Sequence, residues 1–189
     1  MKNKLIKFFM VLSLILVSMQ LLPTTSHADY HSNSRSFYGV KYDSSIYTTF
    51  TYSGVTYNYW DGYEAARKQW DGKAGLSLAK GSHAWADTYY VGSTSDPNLL
   101  GKVFPVNGSQ DFVGMDQQWL YVKVYIYNNV MSSYNMSYNQ RYSNATHEIG
   151  HTVKMKHPAS YTGTSVMKQG IQSIGASTWD YQQLNLKWN

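Results

Sequence analysis

Hydrophobic and polar positions alternate along much of this chain, and the places where the period changes mark its elements. Trp119 to Tyr127 gives the clearest strand signal. Val122, Val124 and Ile126 share one face, and Tyr121, Lys123, Tyr125 and Tyr127 the other. Ile46 to Tyr52, Trp85 to Val91 and Gly101 to Val106 read as further strands, and Leu76 to Ala79 as a short one. Between Tyr57 and Lys73 the period lengthens. Trp60, Tyr63, Ala66, Arg67 and Trp70 recur at helical spacing, Asp61 and Glu64 precede Arg67 and Lys68 as the helix dipole favours, and Asp71-Gly72 supplies a stop. Met131 to Asn144 reads as a polar loop leading into a second helix from roughly Arg141 to Met155, and a last helix is expected around Thr178 to Leu186. Strands and one helix first, then an inner and a terminal helix, is an α+β order in one domain.

The first 28 residues depart from this pattern. Lys2, Lys4 and Lys7 precede an apolar run, Phe8 to Leu22, broken only by Ser13, Ser18 and Gln20, and Ser26-His27-Ala28 supplies small residues at a cleavage site. That reads as an export signal at 1–28, so a secreted, extracellular protein with no stable membrane anchor after cleavage is expected. The run is short for a span of about 20 residues, and no second hydrophobic segment follows. Residues 29–40 are polar and read as a short leader or pro-segment, and 41–189 as the body of the protein. Without the three signal lysines, thirteen basic and eleven acidic residues remain, so a net charge of +2 replaces the +5 of the whole chain. Such a balance argues against nucleic acid as a partner. The absence of cysteine excludes disulfides, a thiolate metal site and a thiol nucleophile, leaving histidine and carboxylate as the available metal ligands.

His147 and His151 stand four residues apart, one turn apart on one face of the expected helix. Two imidazoles so placed can reach one zinc ion at about 2.0–2.1 Å. Glu148 is turned about 100° away, too far round to join them easily as a ligand, but placed to accept a proton from water at the metal. His157 follows ten residues after His147, and three protein ligands with an open fourth position is the catalytic rather than the structural arrangement. Pro158 stiffens the segment carrying His157.

The run from His147 to His157 (HEIGHTVKMKH), followed by Ser165-Val166-Met167, resembles the metzincin clan of zinc peptidases, and the matrixin type most of all. Weaker similarities extend to the Tyr63–Trp70 helix, Ala86–Tyr90, Leu100–Pro105 and Trp179–Leu184. The resemblance implies a metzincin-like zincin fold, a small twisted mixed β-sheet with an active-site helix and a C-terminal helix. It implies one catalytic zinc on His147, His151 and His157, with Glu148 as general base and acid and Met167 in a methionine turn below the metal. The function it implies is that of a secreted zinc metalloendopeptidase, acting on a protein or peptide substrate through a metal-bound water, as a monomer. Lys154 stands where that clan usually has glycine. Neither calcium loops nor a structural zinc site is supported by the sequence.

Two other readings fit the same residues: a secreted binding or adhesion module that keeps the zinc for structure, and a zinc hydrolase of a non-protein amide. Asp29 or His31 is a candidate substitute ligand conferring latency from the leader.

Overall fold

A computed structural model describes residues 29–43 and 47–189. The expected export signal at 1–28 lies outside the described residues, as does Ile46 at the start of one expected strand. Among the described residues the architecture is mixed α+β. A four-stranded sheet is built from β1 (Val40–Tyr42), β4 (Asp87–Gly92), β5 (Gly101–Val106) and β6 (Tyr121–Tyr127) in the order β1-β4-β6-β5. β1, β4 and β6 run parallel, while β5 is the antiparallel edge, with Val103 opposite Val124. A separate hairpin pairs β2 (Thr49–Tyr52) with β3 (Val55–Asn58), and its turn places Ser53 and Gly54 at φ 49° and 79°, the left-handed pair that a two-residue hairpin requires.

The helices follow from local chemistry. In α1 (Tyr59–Trp70), the Asn58 side chain caps the first turn through the Trp60 amide, and Tyr59, Tyr63, Ala66 and Trp70 form its buried stripe. A short helix, α2 (Asn128–Ser133), breaks the stretch expected to be loop. Next, α3 (Tyr138–Thr152) opens on a capping box between Ser137 and Gln140, three residues before the expected start. Another capping box, between Ser177 and Asp180, opens α4 (Thr178–Trp188).

Val122, Val124 and Ile126 lie buried with Tyr89, Val91 and Val103, and the same core includes Tyr63 and Trp70 of α1 and Ala145 and Ile149 of α3. Trp70 also donates from Nε1 to the Thr146 carbonyl at 2.9 Å, so α1 and α3 are held by packing and by a directed bond. The expected strand at Leu76–Ala79 does not form. Asp71 accepts from the Leu78 amide at 2.8 Å and Arg67 donates to the Leu78 carbonyl at 2.8 Å, so side chains take the bonds a ladder would have made.

Residues 29–40 pack onto the body of the protein. Tyr30 bridges Met155, and Arg35 is buried with its guanidinium on Asp87 at 2.8 and 3.0 Å and on the Thr152 carbonyl at 3.0 Å. Asp87 also accepts from the Val122 amide at 3.0 Å. One ion pair thereby joins the N-terminal segment, β4, β6 and the end of α3. Burial pushes the Asp87 carboxyl up, and Arg35 opposes that shift. Replacing Arg35 by Leu strands a buried carboxylate and is expected to cost about 3–5 kcal/mol, measured as a lower urea midpoint.

Glu64 behaves differently. The Arg67 guanidinium bonded to it, at 2.7 Å, holds its carboxyl down at about 2, against an ordinary 4.5. A depressed carboxyl contributes stability above its unfolded value and loses it as pH falls through the folded one. Stability should therefore fall less steeply between pH 4.5 and 2 in Glu64→Gln than in wild type, checked by urea unfolding across that range.

Candidate metal centre

α3 places His147 and His151 on one face, as their spacing requires, and the segment after it brings His157 to the same point. The three Nε2 atoms stand 3.0 Å (His147–His157), 3.2 Å (His147–His151) and 3.2 Å (His151–His157) apart. His147 and His151 are half-buried, and His157 is exposed.

Hydrogen bonds behind the rings fix which nitrogens carry protons. His147 Nδ1 lies 2.8 Å from the Val166 carbonyl, and His151 Nδ1 lies 2.9 Å from the Met155 carbonyl. A carbonyl can only accept, so both Nδ1 atoms carry the hydrogen and both Nε2 atoms present lone pairs. Those two lone pairs then meet at 3.2 Å with no proton between them. Neutral imidazoles avoid such a contact, whereas a shared cation makes it attractive. Three donors about 2.0–2.1 Å from one zinc in tetrahedral geometry stand about 3.3 Å apart, so both the spacing and the all-imidazole donor set fit that ion. Burial keeps the ligands in the neutral form that binding needs, drawing His147 down to about 4 and His151 well below its ordinary value.

Glu148 does not point at the same spot as the histidines. Its carboxylate packs on the start of β5, where a Cβ at Gly101 would meet Oε1 at 2.6 Å and Cγ at 2.7 Å. Gly101 is thus the residue that makes room for Glu148, a role the strand pattern alone could not show. Burial raises the Glu148 carboxyl to about 8. The group lines a cleft of about 760 Å³ with the three histidines, and Lys102, Val103, Gln169 and Ile171 contribute to its walls.

Met167 lies in a buried turn beneath α3. A Cβ at Gly150 would overlap Met167 Sδ and approach Trp70 Cζ2 to 2.9 Å, so the glycine inside the histidine motif is what lets the turn reach the helix. Asp180 fixes that turn from α4: it accepts from Ser165 Oγ at 2.6 Å and from the Val166 amide at 3.0 Å. Since the Val166 carbonyl orients His147, Asp180 reaches the metal centre through two bonds. Neither leader candidate ligates in this arrangement: His31 Nδ1 pairs with Asp116 at 2.6 Å, and the Asp29 carboxylate faces the Ala159 amide at 3.5 Å. Lys154 takes the left-handed conformation, φ 73°, at the position where the resemblance led one to expect glycine.

No protein-family model matches the chain, and no curated protein matches it. Among solved structures, a chain of the "GM1 bound form of the ECX AB5 holotoxin" matches with a TM-score of 0.50 and 16% identity, over 78% of this chain and 79% of that one. At that identity the likeness is one of fold. It nevertheless corrects the expected function. The structure sharing the fold is described as a GM1-bound holotoxin and not as a peptidase, so the secreted endopeptidase, its protease and metalloprotease labels, its peptide substrate and its monomeric state are not carried forward. The physical reason is that three imidazoles and a carboxylate specify a metal and a base, whereas the scissile bond is chosen by the cleft walls. Among the described residues, no helix is long and apolar enough to cross a membrane.

Gly150→Ala should destabilise the fold by about 1–3 kcal/mol, because the added methyl would meet the fully buried side chains of Met167 and Trp70. Thermal unfolding of the two proteins measures it.

Proposed function

We propose that this chain is a zinc-dependent hydrolase of metzincin-like build, exported from the cell that makes it, in which His147, His151 and His157 hold one zinc ion. The observation that carries this reading is the convergence of three Nε2 atoms at 3.0–3.2 Å, two of them held as lone-pair donors by backbone carbonyls. When bound, zinc supplies a Lewis acid that lowers the pKa of water and polarises a carbonyl. The chain's own residues do the rest. Glu148, buried against Gly101 in the cleft, would be ionised once a cation's charge offsets the burial that raises its carboxyl, and then takes a proton from the attacking water and returns it to the leaving group. Val166 and Met155 hold two ligand rings in the required tautomer through their carbonyls. Reaction at a carbonyl-centred bond suits this set of groups.

The likeness to a holotoxin chain favours a second reading, a toxin-like binding module in which the same zinc serves only structure. Zinc titration and a hydrolysis screen separate the two. The purified protein should bind one equivalent of zinc and gain about 4 kcal/mol of stability when free zinc reaches a thousand times its Kd, and His157→Ala should lose most of that gain. On a panel of ester and amide probes, turnover should disappear with chelator. It should fall about 100- to 10,000-fold in Glu148→Gln while zinc stays bound. Zinc binding without turnover on any probe decides for the binding module, and no zinc binding overturns both readings.

A further inference from the structure

The segment between the second and third histidines contains a residue whose conformation and burial are both unfavourable. Lys154 adopts φ 73°, a left-handed conformation that favours glycine, and its side chain has no exposure to solvent. The ammonium group is nevertheless well held. Nζ sits 2.9 Å from the centroid of the buried Trp119 ring and donates to the Gln117 carbonyl at 3.1 Å, an oxygen that also accepts from Asn33. Such a pairing offsets the burial of a cation that would otherwise be expelled.

The turn so held bears directly on the metal centre. The Lys154 amide donates to the His151 carbonyl at 3.1 Å, and the Met155 amide to the Gly150 carbonyl at 3.1 Å, closing α3. Immediately afterwards the Met155 carbonyl accepts from His151 Nδ1, and two residues later His157 meets the other imidazoles. On the far side of the turn, the Lys154 carbonyl accepts from the His31 amide at 2.8 Å. A glycine would satisfy the backbone here without strain but would leave the turn unanchored to the Gln117–Trp119 segment.

We propose that Lys154 is a positioning residue of the metal centre, its ammonium clamped by Trp119 and Gln117 so that the left-handed turn delivers Met155 to His151 and His157 to the triad. This rests on the metal-site reading above. The two demands on position 154, backbone freedom and a side-chain anchor, make opposite predictions for glycine, and that opposition supplies the test. Zinc affinity by competition with a chelating dye, and the visible spectrum of the cobalt(II)-loaded protein, are measured for wild type, Lys154→Gly, Lys154→Met and Lys154→Arg. Loss of the clamp in the Gly and Met variants is expected to weaken zinc binding about 10- to 100-fold and to change the cobalt spectrum. Lys154→Arg, which keeps a cation over the ring, stays close to wild type in both. A Gly variant that binds zinc as tightly as wild type with an unchanged spectrum overturns the proposal. If the Gly variant does not fold, equal affinity in the Met and Arg variants overturns it instead. Wild type that binds no zinc overturns the metal-site reading and this proposal together, whereas equal binding by wild type and the Gly variant overturns this proposal alone.

Discussion

The guanidinium of Arg35 and the carboxylate of Asp87 are both removed from water, and four segments of the chain meet at that pair. A buried charge is tolerated only with a partner and satisfied hydrogen bonds, so the pair cannot form until the N-terminal segment, β4, β6 and the end of α3 are in place together. The demand is geometric as well as energetic. Thr152, whose carbonyl Arg35 engages, immediately follows His151, and the end of the ligand-bearing helix is thereby tied to the middle of the sheet. Two of the three clustered histidines thus stand on a helix anchored by this ion pair.

From that anchor the site is assembled by backbone oxygens more than by side chains. The Val166 and Met155 carbonyls each choose the tautomer of one histidine. The first sits on a turn that Asp180 holds from α4, and the second on a turn closed at the end of α3. Two glycines provide the clearances that make this possible, Gly101 beside Glu148 and Gly150 above Met167. The result is a set of lone pairs held close together, an arrangement that would leave little reorganisation for the binding of an ion to drive.

The same economy explains why fold and reaction must be argued separately. A shared fold with a holotoxin chain at 16% identity says how the elements are arranged and nothing about chemistry. A motif of three histidines and a glutamate describes metal and base alone. The cleft walls include residues such as Gln169 and Ile171, which carry no periodicity and no characteristic spacing.

How much was legible in the sequence follows from the range of each interaction. Alternation with period two marked β6 and the spacing of four marked the ligand face of α3, because both are set by neighbours along the chain. The stretch His147–His157 likewise carried its own chemistry. At Leu76–Ala79 the Asp71 and Arg67 side chains take both backbone bonds of Leu78, a competition invisible to propensity, and only an isolated bridge to Val40 forms beside it. The packing of residues 29–40 is not legible locally, because their partners, Asp87 and Met155, lie far away in sequence. By itself, then, the sequence determined the α+β order, the identity of the three histidines and the glutamate, and the helix that carries two of them, since local spacing suffices for each. Only the tertiary structure brought Arg35, Asp180, Gly101 and Lys154 against the segments that carry those residues, because each contact exists only once distant segments have packed together.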